Sequence, residues 1–211
     1  MNNVLILGDS YSTFEGYIPS GYAIYYASGK RENMGVVDVS LTWWHKALKK
    51  AVCNLIMNNS WSGSTIGYTG YGGADCSKTS SFIYRFNKLI SEGFFEKNKI
   101  DTLLIFGGTN DSWSNAPLGE AKTDHIEEED LFSVLPAIHH LLSLAKKTLP
   151  EANIICIINT DIKKEITDAL ESSSAMLGIK SIRLSDIDKI DGHPTAKGME
   201  SISEQVLPLL L

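Results

Sequence analysis

Five short aliphatic runs recur along the chain, each closed by glycine or a small polar residue. They span 3–8, 53–59, 101–108, 152–159 and 179–184. The runs are apolar almost without interruption, which is the pattern of strands buried on both faces. Stretches with helical spacing separate them and predict helices over 42–51, 81–92, 127–149, 163–177 and 195–211. Ser40 is an N-cap candidate for the first of these, and Gly178 a C′ residue for the fourth. Pro136 either kinks the third helix or marks its true start. Strands alternating with helices require right-handed crossovers and a mainly parallel sheet covered on both sides. The expectation is one domain, 1–211, with a flavodoxin-like three-layer α/β/α sandwich and a five-stranded parallel sheet in the order 2-1-3-4-5.

Bulk properties narrow the function classes. The formal net charge of −6 argues against a general binder of nucleic acid or anionic membranes. No apolar run approaches the roughly 20 residues that span a bilayer. No basic n-region and apolar h-region opens the chain, so the expected compartment is the cytoplasm for the sequence as it stands, with export open if a leader was removed. Cys53, Cys76 and Cys156 are too few and too uneven for a disulfide framework. No cysteine or histidine spacing suggests a metal site. His139 and His140 are neighbours on a predicted helix and point about 100° apart, so they do not share a metal. No metal and no cofactor are expected.

In such a sheet, ligands bind beyond the carboxyl ends of the strands. Four loops reach that edge. They carry Gly8-Asp9-Ser10, the run 58–65 (NNSWSGST), the run 107–111 (GGTND) and the run 191–198 (DGHPTAKG). Each alone reads as an ordinary turn or cap. Together they bring a serine, free backbone donors, an amide and a histidine to one edge. Acyl transfer needs those groups: a nucleophile, a base, and donors for the developing oxyanion. Ser10 is the candidate nucleophile and His193 the candidate base, held extended by Pro194 at a helix entrance that Thr195 can cap. The backbone N–H groups of Ser10 and Gly63 and the side-chain amide of Asn110 are the candidate oxyanion donors.

These four blocks resemble those of the SGNH hydrolases, also called GDSL-type esterases and lipases. Gly8-Asp9-Ser10 matches the first block and 58–63 the glycine-bearing second. Gly108-Thr109-Asn110-Asp111 matches the third, and His193-Pro194 the last. The resemblance implies ester hydrolysis through an acyl-serine, with no cofactor. One position departs from the family. The orienting aspartate three residues before the histidine is here Ile190. Asp191 is the expected substitute, because it lies nearest and Gly192 frees the loop. Asp188, the remoter Asp186 and a backbone carbonyl are the alternatives.

The connector 11–39 is long and carries Tyr11, Phe14, Tyr17, Tyr22, Tyr25 and Tyr26, followed by Trp43-Trp44. For the two tryptophans core packing is expected. Trp61, Tyr68, Tyr71, Tyr84 and Trp113 form a second aromatic set, and 67–73 (GYTGYGG) reads as a mobile rim. Rings with polar tips suit sugars or small acyl groups better than long alkyl chains. The expected partner is a small-molecule ester, an acetylated saccharide among the candidates, and not a nucleic acid. A lysophospholipase or thioesterase, an inactive binding module, and a flavin- or phosphate-binding protein are the competing readings.

Overall fold

The computed structural model describes residues 2–211. Its main sheet is built from β1 (Asn2–Gly8), β2 (Cys53–Ser60), β3 (Thr102–Phe106), β4 (Asn153–Ile158) and β5 (Lys180–Arg183). The order is β2-β1-β3-β4-β5 and every pairing is parallel. The central strands show why their sequences are uninterrupted aliphatics. Leu5 and Leu7 point into one apolar cluster, while Val4 and Ile6 point into the other. Leu103 and Ile105 of β3 alternate with Leu104 and Phe106 in the same way. Side chains alternate across a strand, so a strand covered on both faces needs apolar residues at every position.

Helices close both faces: α1 (Trp43–Lys50), α2 (Phe82–Ser91), α3 (Phe94–Lys97), α4 (Thr109–Trp113), α5 (Val134–Thr148), α6 (Lys164–Met176) and α7 (Ala196–Val206). Phe82, Phe86 and Leu89 of α2, with α5 and α6, cover one side. Trp43, Trp44, Met199 and Ile202 of α1 and α7 cover the other. The two tryptophans are core residues, as their helical spacing implied. Among the described residues no helix is long and apolar enough to cross a membrane.

Several boundaries differ from the periodicity. The expected helix 127–149 begins only at Val134, after a 3₁₀ turn at Glu129–Phe132. Pro136 marks its first turn, where a missing N–H costs no helical hydrogen bond. Thr42, not Ser40, caps α1, its Oγ1 accepting from the His45 N–H at 3.4 Å. Ser40 sits in an earlier 3₁₀ turn and donates its N–H to Asp38 at 2.8 Å. The closing helix stops at Val206, where Leu207–Leu209 tightens into a 3₁₀ turn containing Pro208.

Gly8 is required by close packing rather than by a turn. Its φ is not positive. A Cβ there would lie 2.6 Å from Ser60 Oγ and 2.8 Å from Ser12 Cβ. The glycine permits close approach between the ends of β1 and β2, directly before Ser10. Both neighbours are buried, so neither can swing away. Gly8→Ala is therefore expected to destabilise the fold by about 1–3 kcal/mol. For a chain of this size each kcal/mol lowers Tm by roughly 2–4 °C, which a thermal melt reads directly.

Candidate active site

Ser10 begins a 3₁₀ turn, Ser10–Ser12, whose N-cap is Asp9. The Asp9 carboxylate accepts the Tyr11 N–H at 3.0 Å. Two tryptophans fix the far end of that turn. Trp43 Nε1 donates to Ser12 Oγ at 3.2 Å, and Trp44 Nε1 to the Ser12 carbonyl at 2.9 Å. Ser10 is therefore held on a buried platform rather than on a flexible loop, with its Oγ 3.0 Å from His193 Nε2.

His193 arrives on a small antiparallel hairpin, β6 (Lys189–Ile190) and β7 (His193–Pro194). Asp191 and Gly192 form its two-residue turn, with φ of +49° and +76°. Positive φ at both central positions is what a type I′ hairpin turn requires, and Asp-Gly is a preferred pair for it. The turn folds the Asp191 carbonyl under the ring, 3.1 Å from His193 Nδ1. A carbonyl can only accept, so Nδ1 carries the proton. Nε2 is left with its lone pair toward the serine hydroxyl.

This geometry corrects the expected role of the Asp191 carboxylate. The residue is at the ring, but its main-chain oxygen makes the contact and its side chain is exposed. Asp188 is not the partner either, since its carboxylate accepts from the Thr195 hydroxyl. Asp186 is exposed at a positive φ. Main-chain contacts anchor the hairpin instead. The Tyr11 hydroxyl donates to the Gly192 carbonyl, and the Tyr26 hydroxyl to the Pro194 carbonyl at 2.7 Å.

The donor side of the site lies across from this. Gly63 has a φ of +82°, and nothing stands within 4 Å of where a Cβ would be. Among the described residues no acceptor takes its N–H or that of Ser10. Asn110 lies in the first turn of α4, after Gly108 at a φ of +90°. Its Nδ2 donates to the Ser64 carbonyl at 3.0 Å and makes a long contact of 3.5 Å with Asp9. Its Oδ1 accepts from the Tyr71 hydroxyl at 2.9 Å. Only an N–H can face the Ser64 carbonyl, so the amide's orientation is determined. Asn110 thus touches the residue before Ser10 and the residue after Gly63.

Two buried residues to which the sequence assigned no role hold these loops. Asp111 accepts the N–H of Ile66 at 2.9 Å and of Gly67 at 3.3 Å, pinning the segment that follows Gly63. Arg85 is wholly buried on α2. Its Nη2 donates to the Gly8 carbonyl and to Ser64 Oγ, both at 3.1 Å, and its Nη1 to Asn59 Oδ1 at 2.8 Å. One signal was available. Arg85 lies three residues after Phe82 and four before Leu89, on the helix's apolar stripe.

Burial sets the protonation of the site. Asp9 is pushed up to about 7 and Asp111 to about 6, chiefly by desolvation. His193 is lowered to about 4, first by desolvation and then by the charges of Arg31 and Lys189. The Asp191 carbonyl and the Asp191 charge act in the opposite sense.

Comparison with known proteins adds to this picture. The family model described as GDSL-like Lipase/Acylhydrolase matches residues 2–210. A crystal structure from Bacteroides ovatus, provisionally described as a GDSL-like lipase, is 42% identical with a TM-score of 0.90. It is matched over 98% of this chain and 96% of that one. A protein of Bacteroides uniformis with the same provisional description is 41% identical, also at a TM-score of 0.90, over 98% and 94% of the two chains. A family two carbohydrate esterase from Clostridium thermocellum, in complex with cellohexaose, shares the fold. Its TM-score is 0.63 and its identity 15%, over 98% of this chain and 62% of that one. A search of curated proteins finds no match.

The His193 geometry is open to direct measurement. Nitrogen-15 NMR of the imidazole is expected to show the Nδ1–H tautomer and a ring still neutral at pH 5, far below its ordinary titration. Asp191→Asn should leave both unchanged, because the carbonyl stays and asparagine tolerates the positive φ. A ring that titrates near 6.5, or a tautomer lost in Asp191→Asn, would contradict the carbonyl assignment.

Proposed function

Because the chain belongs to the GDSL-like lipase/acylhydrolase family, we propose that it is a serine esterase of short-acyl, carbohydrate-type esters. The observation that carries this reading is the 3.0 Å contact between Ser10 Oγ and His193 Nε2, two groups 183 residues apart in sequence. Ser10 Oγ attacks the ester carbonyl while Nε2 takes its proton. The carbonyl oxygen becomes an oxyanion and receives hydrogen bonds from the N–H groups of Ser10 and Gly63 and from the Asn110 Nδ2–H that otherwise makes only the long contact with Asp9. The tetrahedral species collapses, and the alcohol leaves with the proton from His193. Water then attacks the acyl-serine, with His193 again as base, and releases the acid. No cofactor is required at any step.

The rings around the site support the substrate class. Trp113 sets its edge toward His193, with ring centroids 5.3 Å apart, and is 38% exposed. Tyr71, whose hydroxyl meets Asn110, is 48% exposed. Tyr22 and Trp61 pack with centroids 4.2 Å apart two residues before Gly63. Half-exposed rings with polar tips can stack on a sugar, whereas a long alkyl chain needs a deep aliphatic pocket.

The test is hydrolysis of p-nitrophenyl acetate, butyrate and octanoate by wild type and Ser10→Ala. Acetate is expected to be fastest, with a loss of roughly 10⁴-fold or more in the variant. Preference for octanoate would favour a lysophospholipase or thioesterase. Equal rates in the two proteins would sink the nucleophile assignment and favour a binding module.

The pH profile gives a second test. His193 acts only when neutral, and kcat/KM reports the free enzyme. Its lowered pKa of about 4 places the acid limb well below the 6.5 of an unperturbed histidine. Activity per enzyme is expected to stay level down to about pH 5, as an initial-rate series would show.

A further inference from the structure

His193 receives an oriented but uncharged acceptor at Nδ1. In a serine–histidine–aspartate triad the carboxylate does two things: it holds the ring's orientation, and it stabilises the imidazolium that forms during acylation. A carbonyl does the first and supplies no charge for the second. Beyond the carbonyl, what faces the ring is aromatic. Tyr25 lies parallel to the imidazole, with centroids 3.6 Å apart and planes 9° apart. Trp113 presents an edge and Tyr11 tilts toward it at 5.5 Å.

We propose that Tyr25 is the positioning residue for His193, its ring face fixing the imidazole plane and receiving the imidazolium charge in place of a triad carboxylate. The electron-rich face of an aromatic ring attracts a cation stacked on it. The ring is itself held from behind. The Arg31 guanidinium lies 3.7 Å over its other face, and Arg31 Nε donates to the Tyr25 carbonyl at 3.2 Å. The Tyr25 N–H donates to Thr13 Oγ1 at 2.9 Å, and that hydroxyl donates to the Ser10 carbonyl at 3.1 Å. Two hydrogen bonds in series, through Thr13, therefore join Tyr25 to the backbone of the nucleophile. The positions of the two reacting groups are set through Tyr25.

The sandwich also sets an opposition. Arg31 and an imidazolium would share the two faces of one ring, and a cation on one face weakens its attraction for a cation on the other. The charged groups that bear on His193 are Arg31 and Lys189, which oppose its protonation, and Asp191, which favours it. The remaining neighbours, Tyr11, Trp113 and Ser10, are neutral at the working pH. Burial, reinforced by Arg31 and Lys189, thus keeps the resting base neutral, and Tyr25 stabilises the charge as it appears.

The proposal rests on the esterase reading, and the experiment separates the two. Steady-state rates on p-nitrophenyl acetate are compared for wild type, Tyr25→Phe, Tyr25→Leu and Arg31→Gln, with thermal melts to establish folding. Tyr25→Phe keeps the ring face and is expected to keep kcat within about threefold. Tyr25→Leu keeps apolar bulk without the face and is expected to lower kcat roughly 10- to 100-fold, with little change in KM. Arg31→Gln is expected to move the acid limb of kcat/KM upward. A raised KM at unchanged kcat in Tyr25→Leu would make Tyr25 a substrate wall and overturn the proposal. So would an equal loss in the Phe and Leu variants, or full kcat in a folded Tyr25→Leu. If wild type hydrolyses no ester, the esterase reading fails, and imidazole NMR still decides the positioning role. The Nδ1–H tautomer should remain single in Tyr25→Phe and become mixed in Tyr25→Leu; a single tautomer in both would refute it.

Discussion

Arg85 ties down the edge of the sheet on which everything else stands. A guanidinium has five N–H donors, and all five are used here: on the carbonyls of Ser80, Asn59 and Gly8, on Asn59 Oδ1 and on Ser64 Oγ. Those acceptors belong to the end of β1, the end of β2, the loop that carries Gly63, and the segment that leads into α2. Burying a charge is costly unless it is hydrogen-bonded throughout, which explains why the acceptors are so completely recruited. Among the described residues no carboxylate lies within ion-pair distance of Arg85, though Asp9 is near enough to favour its charge. The turn that carries Ser10 and the loop that carries Gly63 are thus referenced to one buried cation. Asp111 completes the frame from the β3 side by holding the backbone that follows Gly63.

Above that frame, the histidine is positioned by backbone geometry. The Asp191-Gly192 turn directs a carbonyl at Nδ1, and two tyrosines from the segment after β1 hold the hairpin by its own carbonyls. Residues next to Ser10 therefore fix His193 as well. Ser10 is flanked by Tyr11, whose hydroxyl reaches the turn before His193. Thr13 links the Ser10 carbonyl to the Tyr25 backbone. The first loop of the chain and the last are assembled as one unit, which makes a carboxylate unnecessary for orientation.

How much of this was legible in the sequence follows from the range of each interaction. The strands and their order rest on patterns a few residues long, such as Val4–Leu7 or Leu103–Phe106, and these are visible in one dimension. Ser10, Gly63, Asn110 and His193 were singled out because each lies in a segment that follows a strand of the main sheet, and such segments gather at one edge. The Asp191 carboxylate was chosen by nearness to His193. Nearness could not say which oxygen of that residue would meet the ring. The Asp-Gly pair did carry the information, as a hairpin signal, but the flanking strands are only two residues each and too short to show alternation. Arg85 was hidden for another reason. Its acceptors lie between five and 77 residues away, and they are mostly backbone carbonyls that leave no mark on residue type.

The aromatic loop then has a meaning that composition alone did not give. Its rings divide into two sets by depth. Tyr11 and Tyr26 are buried and act through their hydroxyls on the histidine hairpin. Tyr25, half-buried, stacks on the base, while Tyr17 is exposed and Tyr22 pairs with Trp61. Two exposed rings contact the candidate site directly, Tyr71 at Asn110 and Trp113 at His193. On the proposed function, binding and catalysis would therefore share one surface. The residues that would grip a sugar share packing and hydrogen bonds with those that would move the proton and hold the oxyanion. Single contacts such as Tyr71 to Asn110 link the outer rings to the candidate site.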